Sequence, residues 1–313
     1  MKKLAVALLS GGRSSEREVS LKSGDQVFEA LDKERYQVLR YDPSTDLNRL
    51  LSDAGRIDVA LIILHGIHGE DGTVQGLLDL LNIPYQGSGV IGSAIGMNKL
   101  ASKQLYNQMG LPTPPYIAVH RKDRPDAVSI GSRLGFPLVV KPANGGSSIG
   151  MSIVKSETVL MDALETAWRH DDAVVVESFI RGIELTCGVL GNDELRALPV
   201  VEIMPGEGHE FFDFQAKYTP GASREICPAG IDDALTEKVQ TYAKMAHRAL
   251  FCRGYSRTDM ILSGRDIYVL ETNTIPGMTP TSLFPLAART AGISFSELLD
   301  TLIDLSIQAH KDR

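Results

Sequence analysis

Cysteine is scarce in this sequence, with three among 313 residues, and the three lie far apart (Cys187, Cys227 and Cys252). They form no C-x-x-C pair and their number is odd, so the sequence suggests neither a zinc site nor a disulfide framework. Basic residues are fewer than acidic ones, and the formal net charge is −7. Because nucleic-acid-binding proteins usually carry a basic patch, we do not expect nucleic acid as a partner.

Long apolar runs are also missing. No run approaches the roughly 18 residues that a membrane-spanning helix needs, so we expect no association with a membrane. The first run, LAVALL at 4–9, is shorter than the apolar part of a signal peptide, which has about 7–15 residues. The charged residues Arg13, Glu16 and Arg17 follow at once. We therefore interpret 4–9 as a first β-strand.

No Gly-Lys pair occurs anywhere, which excludes the Walker A phosphate-binding pattern. The chain does contain a glycine- and serine-rich stretch, KPANGGSSIG at 141–150, directly after the apolar run FPLVV. In this stretch Lys141 precedes the glycines instead of following them. The stretch is therefore either a phosphate-covering loop of another kind or an ordinary turn.

The first part of the chain alternates apolar strands with helical stretches, which predicts an α/β fold with a parallel sheet covered on both faces. The predicted strands are 4–9, 36–41 and 59–64, and the predicted helices lie near 20–32, 45–54 and 73–81. Ligands bind at the carboxyl ends of the strands in such sheets. We expect ligand contacts in the two loops there, 10–16 and 65–72.

Two further segments follow. In the first we predict a helix near 93–109, strands at 137–141, 151–154 and 173–177, and a helix near 156–169. In the second we predict a strand from 184, a long polar loop at 205–227, a helix near 232–251, a hairpin at 256–273 and two closing helices. The last helix carries Phe295, Leu298, Leu299 and Leu302 at the spacing of a core-facing stripe.

Two glycine-containing motifs allow more than one interpretation. GSGVIG at 87–92 has the spacing of a dinucleotide-binding loop, but a poor strand precedes it and no acid follows about 20 residues later. A turn that leads into a helix fits better. HGIHGED at 65–71 could hold a metal ion, yet its glycines prevent a stable helix. A ligand-contacting loop at a strand end is favoured there, with a plain turn as the alternative.

The stretch RTDMILSGRDIYVLETN at 257–273 predicts a hairpin with a polar face. If residue 259 lies opposite 271, then 257 lies opposite 273, and all four side chains share one face. This register requires an odd-length loop or a bulge. It would bring together Arg257, Asp259, Glu271 and Asn273. Oxygen ligands of this kind suit Mg²⁺; the alternative is a solvated charged face.

The following NTIPGMTPTSL, residues 273–283, contains a Pro-Gly turn. The backbone N–H of Gly277 could hold an oxyanion beside a metal. Thr281, Ser282 and Leu283 open the next helix, so Ser282 could cap it and offer N–H groups to a carboxylate. The alternative is a simple strand-to-helix turn.

Taken together, these segments resemble the D-alanine–D-alanine ligases of the ATP-grasp superfamily over almost the whole chain. The landmarks are SEREVSL (15–21), HGIHGEDGTVQGLL (65–78), IPYQGSGV (83–90), KPANGGSSIG (141–150), FDFQAKY (212–218), CPAG (227–230), GYSRTD (254–259) and ETNTIPGMTPTSL (271–283). The resemblance implies three α/β domains, which we expect at 1–93, 94–182 and 183–313, with ATP between the last two. It also implies ligation of two D-alanines through an acyl phosphate, for peptidoglycan precursor synthesis.

The resemblance also implies roles for individual residues. It places ATP at Lys99, Lys141, Gly146, Ser147, Ser148, Glu177, Ile180 and Glu184, and two Mg²⁺ or Mn²⁺ ions at Asp259, Glu271 and Asn273. Arg257 and Gly277 resemble the groups that stabilise the acyl phosphate and the tetrahedral oxyanion. For the amino acids it implies Glu16 and His65 at the first substrate, Ser282 and Leu283 at the second, and Lys217 on a mobile loop. Ser147, Tyr218 and Glu16 resemble a hydrogen-bonded triad that closes this loop.

Three positions depart from the family pattern: Asn98 replaces an acid, Ser178 a lysine, and Thr281 a histidine near the second-substrate site. A cytoplasmic location and a homodimer are further implications of the resemblance. The alternatives are a sister ligase that uses D-serine or D-lactate, a nucleotide-binding oxidoreductase that uses GSGVIG, and a non-catalytic ATP-binding module.

Overall fold

The computed structural model describes residues 3–123, 125–146, 148–206 and 223–312. Within these residues the chain forms three β-sheets with helices packed against them, so the predicted α/β class is confirmed. In this part of the chain no helix combines the length and the apolar character that crossing a bilayer requires. All three cysteines are free thiols.

The N-terminal sheet is parallel, with the strand order β2-β1-β3. Its elements are β1 (Leu4–Leu9), α1 (Arg17–Ala30), β2 (Tyr36–Tyr41), α2 (Leu47–Asp53), β3 (Val59–Ile62) and α3 (Thr73–Leu80). Val6 and Leu8 belong to one hydrophobic cluster, and Ala7 and Leu9 belong to another on the opposite face. The sheet is therefore covered on both faces, as the continuous apolar strands predict.

The single helix predicted near 93–109 is wrong, because two helices occupy this stretch: α4 (Val90–Met97) and α5 (Lys99–Gln108). Asn98 separates them in an extended conformation, and its side-chain oxygen caps α5 by accepting from the N–H of Ala101. An N-cap residue has non-helical backbone angles, so a helix that continues through it is excluded.

The central sheet is antiparallel, with the order β4-β7-β5-β6. Its elements are β4 (Tyr116–His120), α6 (Ala127–Leu134), β5 (Leu138–Pro142), β6 (Ser152–Val154), α7 (Leu160–Ala167) and β7 (Ala173–Ser178). The sequence predicts β5, β6, β7 and α7 but misses β4 and α6. Asp126 caps α6 by accepting from two backbone N–H groups of its first turn, a signal that the sequence contains.

The C-terminal sheet is also antiparallel and has the order β11-β10-β8-β12-β13, with β9 beside β8. Its strands are β8 (Ile183–Gly191), β9 (Arg196–Ala197), β10 (Val201–Pro205), β11 (Ser223–Ile226), β12 (Gly254–Ser263) and β13 (Asp266–Asn273). The predicted polar loop at 205–227 is therefore wrong at its ends, where β10 and β11 pair. At these ends the backbone groups of β10 and β11 pair with one another in the sheet.

Helices cover both faces of the C-terminal sheet. They are α8 (Asp233–Ala249), α9 (Leu283–Thr290) and α10 (Phe295–Lys311). On one face α8 packs with α5, and on the other α9 and α10 pack between this sheet and the N-terminal sheet. Leu298, Leu299 and Leu302 are buried there with Phe295 beside them, which confirms the predicted stripe. This shared core holds the N-terminal and C-terminal sheets together.

Candidate active site

A first cleft lies between the central and C-terminal sheets. Apolar and charged side chains both line this cleft, as in many cofactor and ligand sites. Of the residues predicted from the sequence, it is lined by Lys99, Lys141, Gly146, Ser148, Glu177, Ile180, Glu184, Asp259 and Glu271. The structure thus brings together every predicted ATP-contacting residue that it describes.

The charged floor of the first cleft is formed by β5 and β7. Lys141 and Glu177 are both almost fully buried and form an ion pair between Nζ and Oε1. The second oxygen of Glu177 lies 2.7 Å from Nζ of Lys103. Burial alone would raise the pKa of Glu177, but the two ammonium groups outweigh burial and lower this pKa to about 2. Glu177 is therefore a carboxylate at neutral pH.

The loop after β5 approaches the start of α5. Asn98 donates from its side-chain amide to Asn144 at 2.9 Å, and the N–H of Lys99 donates to the carbonyl of Ala143 at 2.7 Å. The ammonium of Lys99 donates to the carbonyl of Gly145. At Asn98, where the family pattern has an acid, this sequence therefore uses an amide to tie the loop to the helix.

The β12–β13 hairpin has the predicted register. Arg257 lies opposite Asn273 and Asp259 opposite Glu271, and a β-bulge interrupts the ladder directly after Asp259. The bulge is the irregularity that this register requires with a two-residue loop. Leu270, the extra residue, lines the first cleft.

The polar face of the hairpin is organised around Asp259, which is 6% exposed. Its carboxylate accepts two hydrogen bonds from Arg257 at 3.0 and 2.9 Å, one from the amide of Asn273 at 3.0 Å and one from Thr186 at 2.6 Å. The neighbouring Asp259 carboxylate raises the pKa of Arg257, against the effect of burial. The carboxylate of Glu271 lies 3.9 Å from Nζ of Lys99.

A second cleft lies between α1, the loop after β3 and the segment after β13. Its lining includes the predicted residues Glu16, His65, Arg257, Asn273, Gly277, Ser282 and Leu283. It shares Lys99, Gly145, Gly146 and Glu271 with the first cleft. The two clefts therefore meet at the glycine loop and the hairpin.

His65 and Glu16 lie on the side of the second cleft that α1 and the loop after β3 form, and both are almost fully buried. Burial lowers the pKa of His65, although the Glu16 carboxylate acts in the opposite direction. His65 is therefore a neutral imidazole at pH 7. Glu16 occupies the position immediately before α1, and its backbone carbonyl accepts from Ser20.

Glu70 also lines this cleft and is absent from the predicted set. It accepts a hydrogen bond from the N–H of Gly66 at 2.8 Å. Removal from bulk water raises the pKa of Glu70 to about 8, with further contributions from the nearby acids Glu16 and Glu271. The motif HGIHGED contains this residue, but nothing in the motif shows that its side chain points into the cleft.

Ser282 precedes α9 but does not cap it as predicted. Its hydroxyl instead accepts from the N–H of Thr279 at 3.1 Å and lies 2.8 Å from the Thr279 hydroxyl. The turn therefore uses Ser282 for its own closure. Gly277 lies against this turn, since a Cβ at 277 would lie 3.1 Å from the Ser282 hydroxyl.

Three predicted residues fall outside the described part of the chain: Ser147, Lys217 and Tyr218. The triad of Glu16, Ser147 and Tyr218 therefore stays a prediction, as does the role of the segment between β10 and β11.

A second residue absent from the predicted set is the fully buried Lys103. Its spacing of four residues after Lys99 places both side chains on one face of α5, but this spacing does not reveal the contact of Lys103 with Glu177.

The two ambiguous motifs lie in different places: GSGVIG leads into a helix, whereas HGIHGED contributes His65 and Glu70 to the lining of the second cleft. In GSGVIG, α4 begins at Val90, and Gly92 packs so closely on the backbone of Leu250 and Phe251 that a Cβ would lie 2.9 Å from their carbonyls. This confirms the helix-entry turn. In HGIHGED, the Asp71 side chain accepts from the N–H groups of His68 and Thr73. Across the described ranges, no group of three or more His, Cys, Asp or Glu residues is arranged to hold a metal ion.

Two antiparallel sheets flank the first cleft, and the polar face of the β12–β13 hairpin contributes to its lining. This arrangement is that of the ATP-grasp fold. Two family models match the chain: the D-ala D-ala ligase C-terminus over residues 105–304, and the D-ala D-ala ligase N-terminus over residues 5–54 and 45–88. The chain belongs to the D-alanine–D-alanine ligase family.

Similar proteins support this membership over the full length. The chain is 65% identical to a D-alanine–D-alanine ligase of Syntrophobacter fumaroxidans and 54% identical to one of Desulfotalea psychrophila, with 97% or more of each chain covered. A solved D-alanine–D-alanine ligase of Bacillus anthracis complexed with ATP has a TM-score of 0.87 at 36% identity, with 99% of each chain covered. The VanG D-Ala:D-Ser ligase of Enterococcus faecalis has a TM-score of 0.85 at 33% identity, covering 97% of this chain and 100% of that one.

Proposed function

We propose that this chain catalyses the ATP-dependent ligation of two D-alanines to D-alanyl-D-alanine, a step of peptidoglycan precursor synthesis. The observation that carries this proposal is the meeting of the two clefts at Lys99, Gly145, Gly146 and Glu271. A nucleotide in the first cleft would direct its phosphates toward this junction, and an amino acid in the second cleft would direct its carboxylate there. One site could then join the two reactions.

In the first step, a carboxylate oxygen of one D-alanine attacks the γ-phosphorus of ATP. The bond between this phosphorus and the β–γ bridging oxygen breaks, so ADP leaves and D-alanyl phosphate forms. Phosphoryl transfer depends mainly on positioning and charge neutralisation. In our proposal Lys99 and Lys141 bind the phosphates, the loop with Gly146, Ser147 and Ser148 covers them, and Glu16 binds the substrate ammonium.

In the second step, the amine of another D-alanine attacks the acyl carbon. The tetrahedral intermediate then expels phosphate, and the amine nitrogen loses a proton. Arg257 and the N–H of Gly277 would stabilise the oxyanion, since preorganised donors act strongly where charge develops. Ser282 and Leu283 would hold the second carboxylate. The neutral His65 would lie near the first carboxylate without cancelling the charge of Glu16.

The polar face of the hairpin fits divalent cations. Asp259 and Glu271 offer carboxylate oxygens and Asn273 an amide oxygen, which are the ligands that Mg²⁺ or Mn²⁺ takes together with phosphates. Asn273 already donates to Asp259 through its nitrogen, so its oxygen is available to a cation. When bound, two such ions neutralise phosphate charge and polarise the γ-phosphoryl group. Lys217 and Tyr218 would close the site together with Ser147.

The remaining predictions belong to the same proposal. We retain three domains at 1–93, 94–182 and 183–313, with ATP between the last two, as well as a homodimer and a cytoplasmic location. A close second candidate is a D-alanine–D-serine ligase, which is favoured by the structural similarity to the VanG enzyme. Both candidates use the same first step and differ only in the acceptor.

The decisive experiment supplies the protein with ATP, Mg²⁺ and one amino-acid combination at a time. We expect phosphate release and D-alanyl-D-alanine with D-alanine alone, and no release with L-alanine. A mixed product that predominates when D-serine or D-lactate is added would move the assignment to that acceptor. Absence of any D-alanine-dependent phosphate release would overturn the proposal, and enhanced NADH fluorescence on titration would favour the oxidoreductase alternative.

A further inference from the structure

Lys103 is a cation buried beneath the first cleft. It is fully inaccessible to solvent and contributes nothing to the lining of either cleft. On α5 it follows Lys99 by four residues and precedes Tyr106 by three, so the three side chains share one face. Lysine is almost never fully buried unless it is paired, and its partner here is Glu177, 2.7 Å away.

The pair is part of a chain of three charges. Lys103 contacts one oxygen of Glu177, and Lys141 contacts the other oxygen. Lys141 also lines the first cleft. Two positive charges and one negative charge leave a net charge of +1. Without Lys103, the Glu177 carboxylate would cancel the charge of Lys141, and the net charge would be zero.

Burial makes this difference in charge important. Charges interact more strongly in a water-poor interior than in bulk water. Burial lowers the pKa of Lys103, and the charge of Glu177 acts against this change. The Nζ atom of Lys103 also lies 5.3 Å from the centroid of the Tyr116 ring, where a cation is attracted by the ring face.

We propose that Lys103 is a positioning residue for nucleotide binding: it neutralises Glu177, so that Lys141 retains its charge for the phosphates of ATP. The proposal rests on the function proposed above. It also explains why a carboxylate can lie in contact with a phosphate-binding lysine without cancelling its effect. Lys103 itself touches neither the nucleotide cleft nor the amino-acid cleft.

The test compares ligands with and without phosphates in isothermal titrations of the full chain. In Lys103→Met, which preserves most of the apolar stem, we expect ADP affinity to fall about tenfold, or about 1.4 kcal/mol. Adenosine lacks the phosphates that Lys141 would bind, so its affinity should change by less than about twofold on the same scale. Equal losses for ADP and adenosine would indicate a merely structural role and overturn the proposal.

The double variant Lys103→Met/Glu177→Gln separates charge from packing. It removes both the cation and the anion. The positive charge of Lys141 then has no anion beside it to cancel it, so the ratio of ADP to adenosine affinity should recover. A ratio that stays as low as in Lys103→Met alone would contradict the inference. If Lys103→Met does not fold, Glu177→Gln and the double variant decide. Glu177 also lines the nucleotide cleft, but ADP and adenosine share the adenosine part, so a lost contact there lowers both affinities and leaves their ratio unchanged. Both variants should therefore keep at least the ratio of the unaltered protein, and a lower ratio in either overturns the proposal.

These measurements are independent of the amino-acid substrates. A chain that binds ADP but releases no phosphate with D-alanine would refute the proposed ligation and leave the role of Lys103 testable. Conversely, an active ligase whose Lys103→Met variant binds ADP normally would refute only the role of Lys103.

Discussion

At the scale of single residues, Asp259 is the most constrained group of the candidate site. Its two oxygens accept four hydrogen bonds, from Arg257, Asn273 and Thr186. These contacts fix the orientation of its carboxylate in the lining of the first cleft. They also mean that Asp259 holds Arg257 in place, so one carboxylate serves both the expected cations and the oxyanion donor.

We therefore expect Asp259→Asn to lower the rate of D-alanine-dependent phosphate release by about 100-fold or more, the effect of losing one well-placed electrostatic group. The amide keeps the size of the side chain but cannot neutralise a cation or Arg257. The exposed Asp266, at the other end of the same hairpin, offers the matched control Asp266→Asn. Similar rates in the two variants would show that Asp259 has no special part in the reaction.

His247 links a buried side chain to pH-dependent stability. Its imidazole is 1% exposed, and Nδ1 lies 2.7 Å from the hydroxyl of Ser256. Burial, assisted by the nearby positive charge of Arg248, lowers the pKa of His247 to about 4. His247 therefore binds a proton below about pH 6.5 in the unfolded chain, but only below about pH 4 in the folded chain. Stability is lost as the pH falls through this window, by on the order of 3 kcal/mol in total.

In thermal unfolding between pH 7 and pH 5, we expect the midpoint of the unaltered protein to fall more steeply than that of His247→Gln. Aspartates and glutamates in the unfolded chain titrate mostly below this range, with pKa values near 4. The variant His170→Gln, at an exposed position, should keep the full slope. Parallel pH profiles for the unaltered protein and His247→Gln would contradict this explanation.

The residues that sequence reasoning finds and those that it misses differ in a physical way. Asp259, Glu271 and Asn273 are predictable because strand alternation and cross-strand pairing place them on one face. Glu70 and Lys103 are missed because their importance arises from burial and from distant partners. The 2.7 Å contact of Lys103 with Glu177 joins residues 74 positions apart in sequence, and no local pattern encodes it.

At the scale of secondary structure elements, buried apolar strands and helices are the predictable part. The strands of the N-terminal sheet and the stripe on α10 follow from apolar periodicity. The break between α4 and α5 is less visible, because the apolar pattern runs through it and only the capping by Asn98 ends one helix and starts the next. β4 and α6 are missed because β4 is only partly buried and α6 buries a single residue, Ile130, whereas the predicted α7, of the same length, buries four.

The glycine loop after β5 depends on backbone conformation at one position. Gly145 has a φ of +120°, and a Cβ there would have no heavy atom within 4 Å. A substitution at 145 would therefore be costly through backbone strain alone, of order 1–3 kcal/mol. Gly146 has the same open space without a positive φ, so it serves as the matched comparison.

We expect Gly145→Ala to raise the KM for ATP about tenfold, because the strained loop leaves the position that covers the phosphates. Gly146→Ala keeps its N–H and should raise this KM much less. The KM for D-alanine should change little in both variants. Equal effects of the two substitutions on the KM for ATP would show that bulk in the loop, and not the conformation at 145, controls nucleotide binding.

At the scale of the whole molecule, the central sheet, the C-terminal sheet and α5 converge on one region of mixed charge. The central sheet supplies Lys141, α5 supplies Lys99, and the hairpin supplies Asp259 and Glu271. The chain as a whole is acidic, with a net charge of −7, and ATP is a polyanion. Binding therefore requires local cations, and the first cleft brings Lys99 and Lys141 together with the potential cation ligands Asp259 and Glu271.

This arrangement predicts how nucleotide and metal affect the stability of the entire chain. A ligand that binds only the folded state stabilises it, by about 2.7 kcal/mol at 100 times its dissociation constant. We expect ATP with Mg²⁺ to raise the thermal unfolding midpoint clearly, and ATP with EDTA to raise it much less, because the Asp259 and Glu271 carboxylates then face the phosphates without cations between them. In Asp259→Asn the extra effect of Mg²⁺ should shrink, whereas Asp266→Asn should retain it. A midpoint shift by ATP that EDTA leaves unchanged would refute a cation site on the hairpin, while leaving Lys99 and Lys141 as the source of nucleotide affinity.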